Sequence, residues 1–216
     1  MSSRYSLVIF DCDGVLVDSG PTEARVRDLL LESGIKTELE ELTQRTLGMT
    51  EEMVWAYIGK EHGLAVTPAL RSRYRAMCYD EFETSTKAVA GAEPVLAALK
   101  SVGVPFCVAS NGPIAQMQIT LRVTGLLPYF DGALFSADDV ARPKPAPDLF
   151  LHAVENMGYP AAATAVVEDS ARGVEAGLAA GLTVFQYVGG GVERAPYDGV
   201  RHVGSMSELP EILGLR

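Results

Sequence analysis

Apolar and polar positions alternate between two periods along this chain. Tyr5–Ser6–Leu7–Val8–Ile9–Phe10 is a short, bounded apolar run rich in branched and aromatic residues, which predicts a buried strand. A long helical stretch follows. Val26, Leu29 and Leu30 recur at helical spacing until Gly34. Thr37 with Glu40 matches a capping box, and Thr50 before Glu51 and Glu52 predicts a second helix start with Met53, Val54, Tyr57 and Ile58 on one face. Thr67–Pro68 predicts a third, with Leu70, Tyr74, Met77 and Phe82 on its buried side.

From about Lys87 helix and strand alternate. Helices are expected from Glu93–Pro94 to Gly103, from Pro113 to Gly125, from Pro147 to Gly158 and from Ser170 to Ala180. Strands are expected over 104–109, 133–135, 164–167 and 182–187. Such alternation implies right-handed βαβ crossovers. The fold class is therefore α/β: a Rossmann-like parallel sheet with helices on both faces, plus an inserted all-helical domain. The first strand must join that sheet, since alone it could not bury its side chains. The expected division is a core of residues 1–17 and 87–216 with an insertion over 18–86, and Asp18 and Ser19 at the hinge.

Composition narrows the class. The 216 residues carry a net charge of −10 with a pI near 4.8, and no Lys/Arg cluster suits a phosphate backbone, so no nucleic-acid partner is expected. No apolar stretch reaches a membrane span, and the first strand, followed by acid, does not read as a signal peptide. Cys12, Cys78 and Cys107 form no Cys-x-x-Cys pair and read as buried free thiols, which fits a reducing cytoplasm. A monomer or weak homo-oligomer is expected.

The chemistry lies where strands end. In a parallel α/β sheet ligands bind at the carboxyl ends of the strands. Asp11 and Asp13 follow the first strand, two residues apart, so on extended backbone they point the same way. Two carboxylates that close repel unless a cation or shared proton relieves them. Ser110, Asn111 and Gly112 follow the strand over 104–109. Lys144 stands between Pro143 and Pro145, and Glu168 and Asp169 follow the strand over 164–167. A carboxylate can act as nucleophile, a second as acid then base, and clustered hard oxygens suit Mg²⁺. A hydroxyl, helix-start N–H groups and a lysine can hold an anion. Together this is equipment for phosphoryl transfer.

Four motifs then carry a resemblance: Asp11-x-Asp13-Gly-Val-Leu-Val-Asp18-Ser19, Val108-Ala109-Ser110-Asn111-Gly112, Lys144 within Arg-Pro-Lys-Pro-Ala-Pro-Asp, and Glu168-Asp169-Ser170 with Gly173-x-x-x-Gly177-x-x-x-Gly181. In this order they resemble the haloacid dehalogenase superfamily of phosphohydrolases, over nearly the whole chain. The insertion resembles the small helical cap of the β-phosphoglucomutase and phosphoglycolate phosphatase subgroup. The stretch from Ser110 to Gln118 is similar to the 6-phosphogluconate phosphatase branch.

The resemblance implies that Asp11 attacks phosphorus and becomes an aspartyl phosphate, and that Asp13 protonates the leaving alkoxide and then activates water. It implies Mg²⁺ held by Asp11, the Asp13 carbonyl and Asp169, with Glu168 ligating through water or orienting Lys144. Ser110, Asn111, Gly112 and Lys144 would bind the transferring oxygens. The substrate would be a small phosphorylated metabolite, a sugar or sugar-acid phosphate such as 6-phosphogluconate. Cap residues would select it, with the Gln44–Met49 loop, Arg45 and Lys87 as candidates.

Plainer roles weigh against some of these residues. Gly173, Gly177 and Gly181 read as packing and stop positions, Gly189–Gly191 as a loop, and His62 and His152 as ordinary helix residues. Rival functions are a hexose-phosphate mutase, a carbon–halogen hydrolase and a phosphoacceptor signalling module. The last two fit less well, because the first needs no metal and the second lacks a helical insertion.

Overall fold

The computed structural model describes residues 4–19, 22–191 and 193–215. The extreme ends of the expected core and residues 20–21 of the expected insertion lie outside them.

The chain opens with β1 (Leu7–Phe10), wholly buried as its apolar run requires. Then comes β2 (Val17–Asp18), followed by helices α1 (Thr22–Glu32), α2 (Leu39–Thr46), α3 (Glu51–His62) and α4 (Pro68–Ser85). The short strand β3 (Lys87–Ala88) returns antiparallel to β2, pairing Asp18 with Lys87 and Val17 with Ala88. Alternation then sets in: α5 (Ala92–Ser101), β4 (Phe106–Ser110), α6 (Ile114–Val123), β5 (Leu134–Ser136), α7 (Asp148–Met157), β6 (Thr164–Glu168), α8 (Ala171–Ala179), β7 (Thr183–Tyr187), β8 (Arg201–Val203) and α9 (Leu209–Ile212).

The main sheet has six strands in the order β5-β4-β1-β6-β7-β8, all parallel. β1 alternates between its two faces. Val8 and Phe10 join a cluster with Leu96 of α5, Met117 and Leu121 of α6 and Leu209 of α9. Leu7 and Ile9 join a second cluster with Leu149 and Phe150 of α7 and Val174 of α8. From β1 the chain builds outward through β4 and β5, then crosses to β6 on the other side. β1 therefore lies at the switch in strand order, where a crevice opens at the carboxyl ends.

The four helices between β2 and β3 have their own core: Val26, Leu29, Leu30, Leu42, Trp55 and Ile58. Thr50 and Thr67 cap α3 and α4 as expected, accepting from the N–H groups of Met53 and Leu70. The Thr37–Glu40 capping box does not form; α2 starts after Glu38, which makes no side-chain cap. The buried side of α3 runs through Trp55 and Ile58, with Val54 and Tyr57 partly buried against the same cluster; Trp55 was not expected there, and its ring packs edge-on against Tyr74 of α4 at 5.2 Å. Among the described residues no helix is long and apolar enough to cross a membrane. All three cysteines are buried thiols outside any disulfide.

Candidate active site

The strand-end residues converge. Asp11 extends β1 by one residue, its N–H donating to the Val167 carbonyl at 2.9 Å. Cys12 turns the other way, into the apolar cluster. This leaves Asp11 and Asp13 on the crevice side, as the period of two requires. The chain then turns sharply at Gly14, whose φ of +81° lies in the left-handed region. A Cβ on Gly14 would stand 2.0 Å from Asp169 Oδ2, so only glycine lets the β1 loop and Asp169 approach this closely.

Lys144 occupies the centre. It is 1% exposed, and its ammonium donates to Asp11 Oδ1 at 2.7 Å, Glu168 Oε1 at 2.7 Å and the Ala109 carbonyl at 2.8 Å. The charge also lies 4.6 Å from the centre of the Phe150 ring. Burial alone would lower the lysine, but Asp11 and Glu168 outweigh it and hold the ammonium above its ordinary value. Glu168 thus makes the contact to Lys144 that the second of its two expected roles needs, while its carboxylate also stands in the acid cluster. Its other oxygen accepts from the Ser170 N–H at 2.8 Å and the Ser170 hydroxyl at 3.0 Å.

One lysine does not balance the acids. Carboxylate oxygens of Asp11, Glu168 and Asp169 lie within 4.8 Å of one another, all buried. Burial pushes Asp11 and Asp169 well above the usual carboxylate range; Glu168 adds to both shifts, and Lys144 opposes them. An all-oxygen set with excess negative charge, cradled where no Cβ fits, suits a hard divalent cation.

Asp13 has a different setting. Its Oδ2 accepts from the Gln116 side chain at 2.9 Å, while its buried Oδ1 has no hydrogen-bond partner among the described residues. Burial raises its pKa, and hydrogen bonds from Ser19 and Gln116 restrain the rise. A carboxyl so placed can carry a proton and give it up. Gln116, on α6, is a polar residue within a helical pattern and gives no sequence signal of its own.

Of the anion-holding candidates, Ser110 is buried and its hydroxyl oxygen accepts from the Gly112 N–H at 3.1 Å. The Gly112 carbonyl accepts from the Ser136 hydroxyl at 2.9 Å, which fixes the turn. Gln186 was also silent in the sequence. It is buried on β7 and braces the Asp169 carbonyl and the loop at Glu193 and Ala195.

A cavity of about 720 Å³ is lined by Asp11, Asp13, Ser110, Gln116, Lys144, Glu168 and Asp169 and by Met49, Val54, Tyr74, Arg75, Tyr79 and Phe82 of the helical insertion. Lys87 lines it too. Arg45 does not. It is exposed and outside the lining, because the inward side of α2 carries Leu42 and Thr46. The insertion's cation at the cavity is Arg75, whose Nε donates to Glu51 at 2.7 Å.

A parallel α/β sheet with buried acids and a lysine at its switch point defines an enzyme built to handle an anion. The chain belongs to the haloacid dehalogenase-like hydrolases; the family profile matches residues 5–181. It is 35% identical over 187 residues to 6-phosphogluconate phosphatase of Escherichia coli K12, covering 86% of this chain and 83% of that one. It is 31% identical over 193 residues to fructose-1-phosphate phosphatase of the same organism, covering 84% and 96%. A HAD family hydrolase from Deinococcus radiodurans, solved with bound phosphate and sodium, superposes with a TM-score of 0.77 at 30% identity, over 99% of this chain and 98% of that one. A putative β-phosphoglucomutase from Thermotoga maritima shares the fold, with a TM-score of 0.74 at 24% identity over 97% and 98%.

Proposed function

We propose that the protein is a Mg²⁺-dependent phosphatase that hydrolyses a sugar or sugar-acid phosphate through an aspartyl phosphate on Asp11. One observation carries this reading: the Lys144 ammonium lies 2.7 Å from both Asp11 and Glu168, and Asp169 completes a buried acid cluster beside them. The names of the E. coli relatives support the substrate class.

Asp11 and Asp169 would hold the cation, with the Asp13 carbonyl and Glu168 beside them. A divalent ion there offsets the charge of an approaching phosphate dianion, which Lys144 alone does not. Asp11 attacks phosphorus as the ester oxygen departs. Asp13, protonated, gives its proton to that oxygen. Asp13 then takes a proton from water as the water attacks the acyl phosphate, releasing inorganic phosphate and restoring Asp11. Acid–base assistance of this kind contributes about 10²–10⁴-fold. The Ser110 hydroxyl, the Asn111 N–H and Lys144 serve the transferring oxygens, and Gly112 holds the turn that presents them. Residues 18–86 act as a cap over the core formed by 1–17 and 87–216, excluding water and contacting the leaving group. Arg75 of the cap and Lys87, where the chain returns to the core, are cations at the cavity. Three buried thiols outside any disulfide fit the cytoplasm.

A phosphate-release screen over sugar phosphates, sugar-acid phosphates, phosphoglycolate and nucleotides tests this. Release from sugar or sugar-acid phosphates, lost with a chelator and restored by Mg²⁺, is expected. No release from any of them, an isomerised phosphate as sole product, or a rate indifferent to the chelator would overturn it.

A further inference from the structure

The insertion touches the core at a particular point. Between α2 and α3 the backbone turns through Gly48, with φ of +71°. A Cβ there would meet Ser170 Oγ at 2.8 Å and Ser170 Cβ at 3.0 Å, so the loop backbone rests directly on the residue that caps α8. The Ser170 hydroxyl also donates to Glu168. On the other side of the loop, the Asn111 side-chain amide donates to the Gly48 carbonyl at 2.8 Å.

The same amide grips the lysine segment. Its Nδ2 also donates to the Lys144 carbonyl at 3.2 Å, and its Oδ1 accepts from the Lys144 N–H at 3.0 Å. Only one orientation satisfies all three contacts. Gly48 and Lys144 carbonyls must accept and the Lys144 N–H must donate, so the amide cannot be flipped. Both Nδ2 hydrogens are used. If the Gly48 loop leaves, one of them loses its partner, and the brace on Lys144 loses a member of its network.

We propose that the Asn111 side chain is a positioning residue that couples docking of the Gly48 loop to placement of the Lys144 ammonium. Docking satisfies the amide, the amide fixes both backbone polar groups of Lys144, and that segment aims the ammonium at Asp11 and Glu168. Coupling free energies are reciprocal, so an anion that engages Lys144 also favours the docked loop. The proposal rests on the phosphatase reading for its kinetic consequence but not for its structural one.

The test is a double-mutant cycle with Gly48→Ala and Asn111→Ala, read by kinetics and by hydrogen exchange of residues 47–49. Gly48→Ala obstructs docking from the insertion side and leaves every core contact of Asn111 to Lys144 intact. Each single variant is expected to lower kcat by about fivefold or more. The double variant is expected to lose less than the product of the two single losses, because the part that passes through the Asn111–Gly48 contact is lost once, whatever Gly48→Ala does through Ser170. In wild type, inorganic phosphate should slow exchange at 47–49, and in Asn111→Ala it should not, while the amides of α4 are unchanged. Multiplying effects, a change in KM alone, or phosphate-slowed exchange in Asn111→Ala would overturn the coupling even if the enzyme releases phosphate. If no variant, wild type included, releases phosphate, the exchange result still decides the coupling and only the phosphatase reading fails.

Discussion

Gly173 lies one turn into α8, where a Cβ would come within 1.9 Å of the Glu168 carboxyl. The spacing of Gly173, Gly177 and Gly181 marks a small-residue face in the sequence, and for Gly177 that is the whole account: its neighbours are Val166 and Val184 of the sheet, each 2.9 Å from a Cβ. At Gly173 the neighbour is instead the carboxylate that holds Lys144. Gly173→Ala should therefore act on the site and not only on packing. A loss of about 1–3 kcal/mol in denaturant unfolding is expected from the overpacking. A fall in kcat should accompany it, because Glu168 is pushed off the ammonium. An alanine variant with wild-type stability and rate would show that Glu168 has room to spare. The acids, Ser110 and Lys144 were legible because each follows a predicted strand. Gln116 and Gln186 were not, because a neutral amide on a helix or inside a strand carries no pattern, and only the fold brings it to Asp13 or Asp169.

At the scale of elements, what was legible was what has a period. β1, β4, β6 and β7 were found within two residues of their ends, and α5 to α8 likewise, since apolar runs and glycine or proline punctuation mark them. What was missed has no period to read. β2 and β3 are two residues each, and they exist because the antiparallel pairing of Val17–Asp18 with Lys87–Ala88 closes the insertion. β8 is Arg201-His202-Val203, a polar stretch made a strand by pairing with β7 at the sheet edge. The Thr37–Glu40 box failed for a related reason. A capping pair states where a helix could begin, and the packing of Leu42 onto the helical cluster decides where it does. Arg45 fell on the wrong side of α2 because one charged residue does not reveal which face of a short helix looks toward the cavity.

Across the whole molecule the dominant fact is charge. A chain of net charge −10 buries acids that one lysine does not neutralise. Without a metal, Asp11 and Asp169 hold protons in the fold at pH values where the unfolded chain, with carboxyls near pKa ~3.9, has shed them. The folded state therefore binds more protons, and these groups contribute stability that is complete below the unfolded value and lost as pH rises through the folded one. Glu52 and Asp148 are held low by arginine partners and Glu81 by Ser85 and then Arg25; these act in the opposite sense, but they are solvent-screened. A divalent ion held by Asp11 and Asp169 would replace the protons. The rise in Tm on adding Mg²⁺ should accordingly be larger at pH 7.5 than at pH 5, approaching about 2.7 kcal/mol of stabilisation at a hundredfold excess over Kd. An increment that stays level or shrinks as pH rises would contradict the cluster's need for a cation.

In the proposed reaction Asp11 is the group that takes the phosphoryl. Asp11→Asn keeps an oxygen for the Lys144 ammonium and puts a neutral group where the metal-free fold already holds a proton, so the fold should persist with an unchanged or raised Tm. The decisive measurement is single-turnover phosphate release by that variant at saturating Mg²⁺, set beside its melting curve. The expected result is a folded protein with no release above background. A folded variant that turns over near the wild-type rate would contradict the central claim.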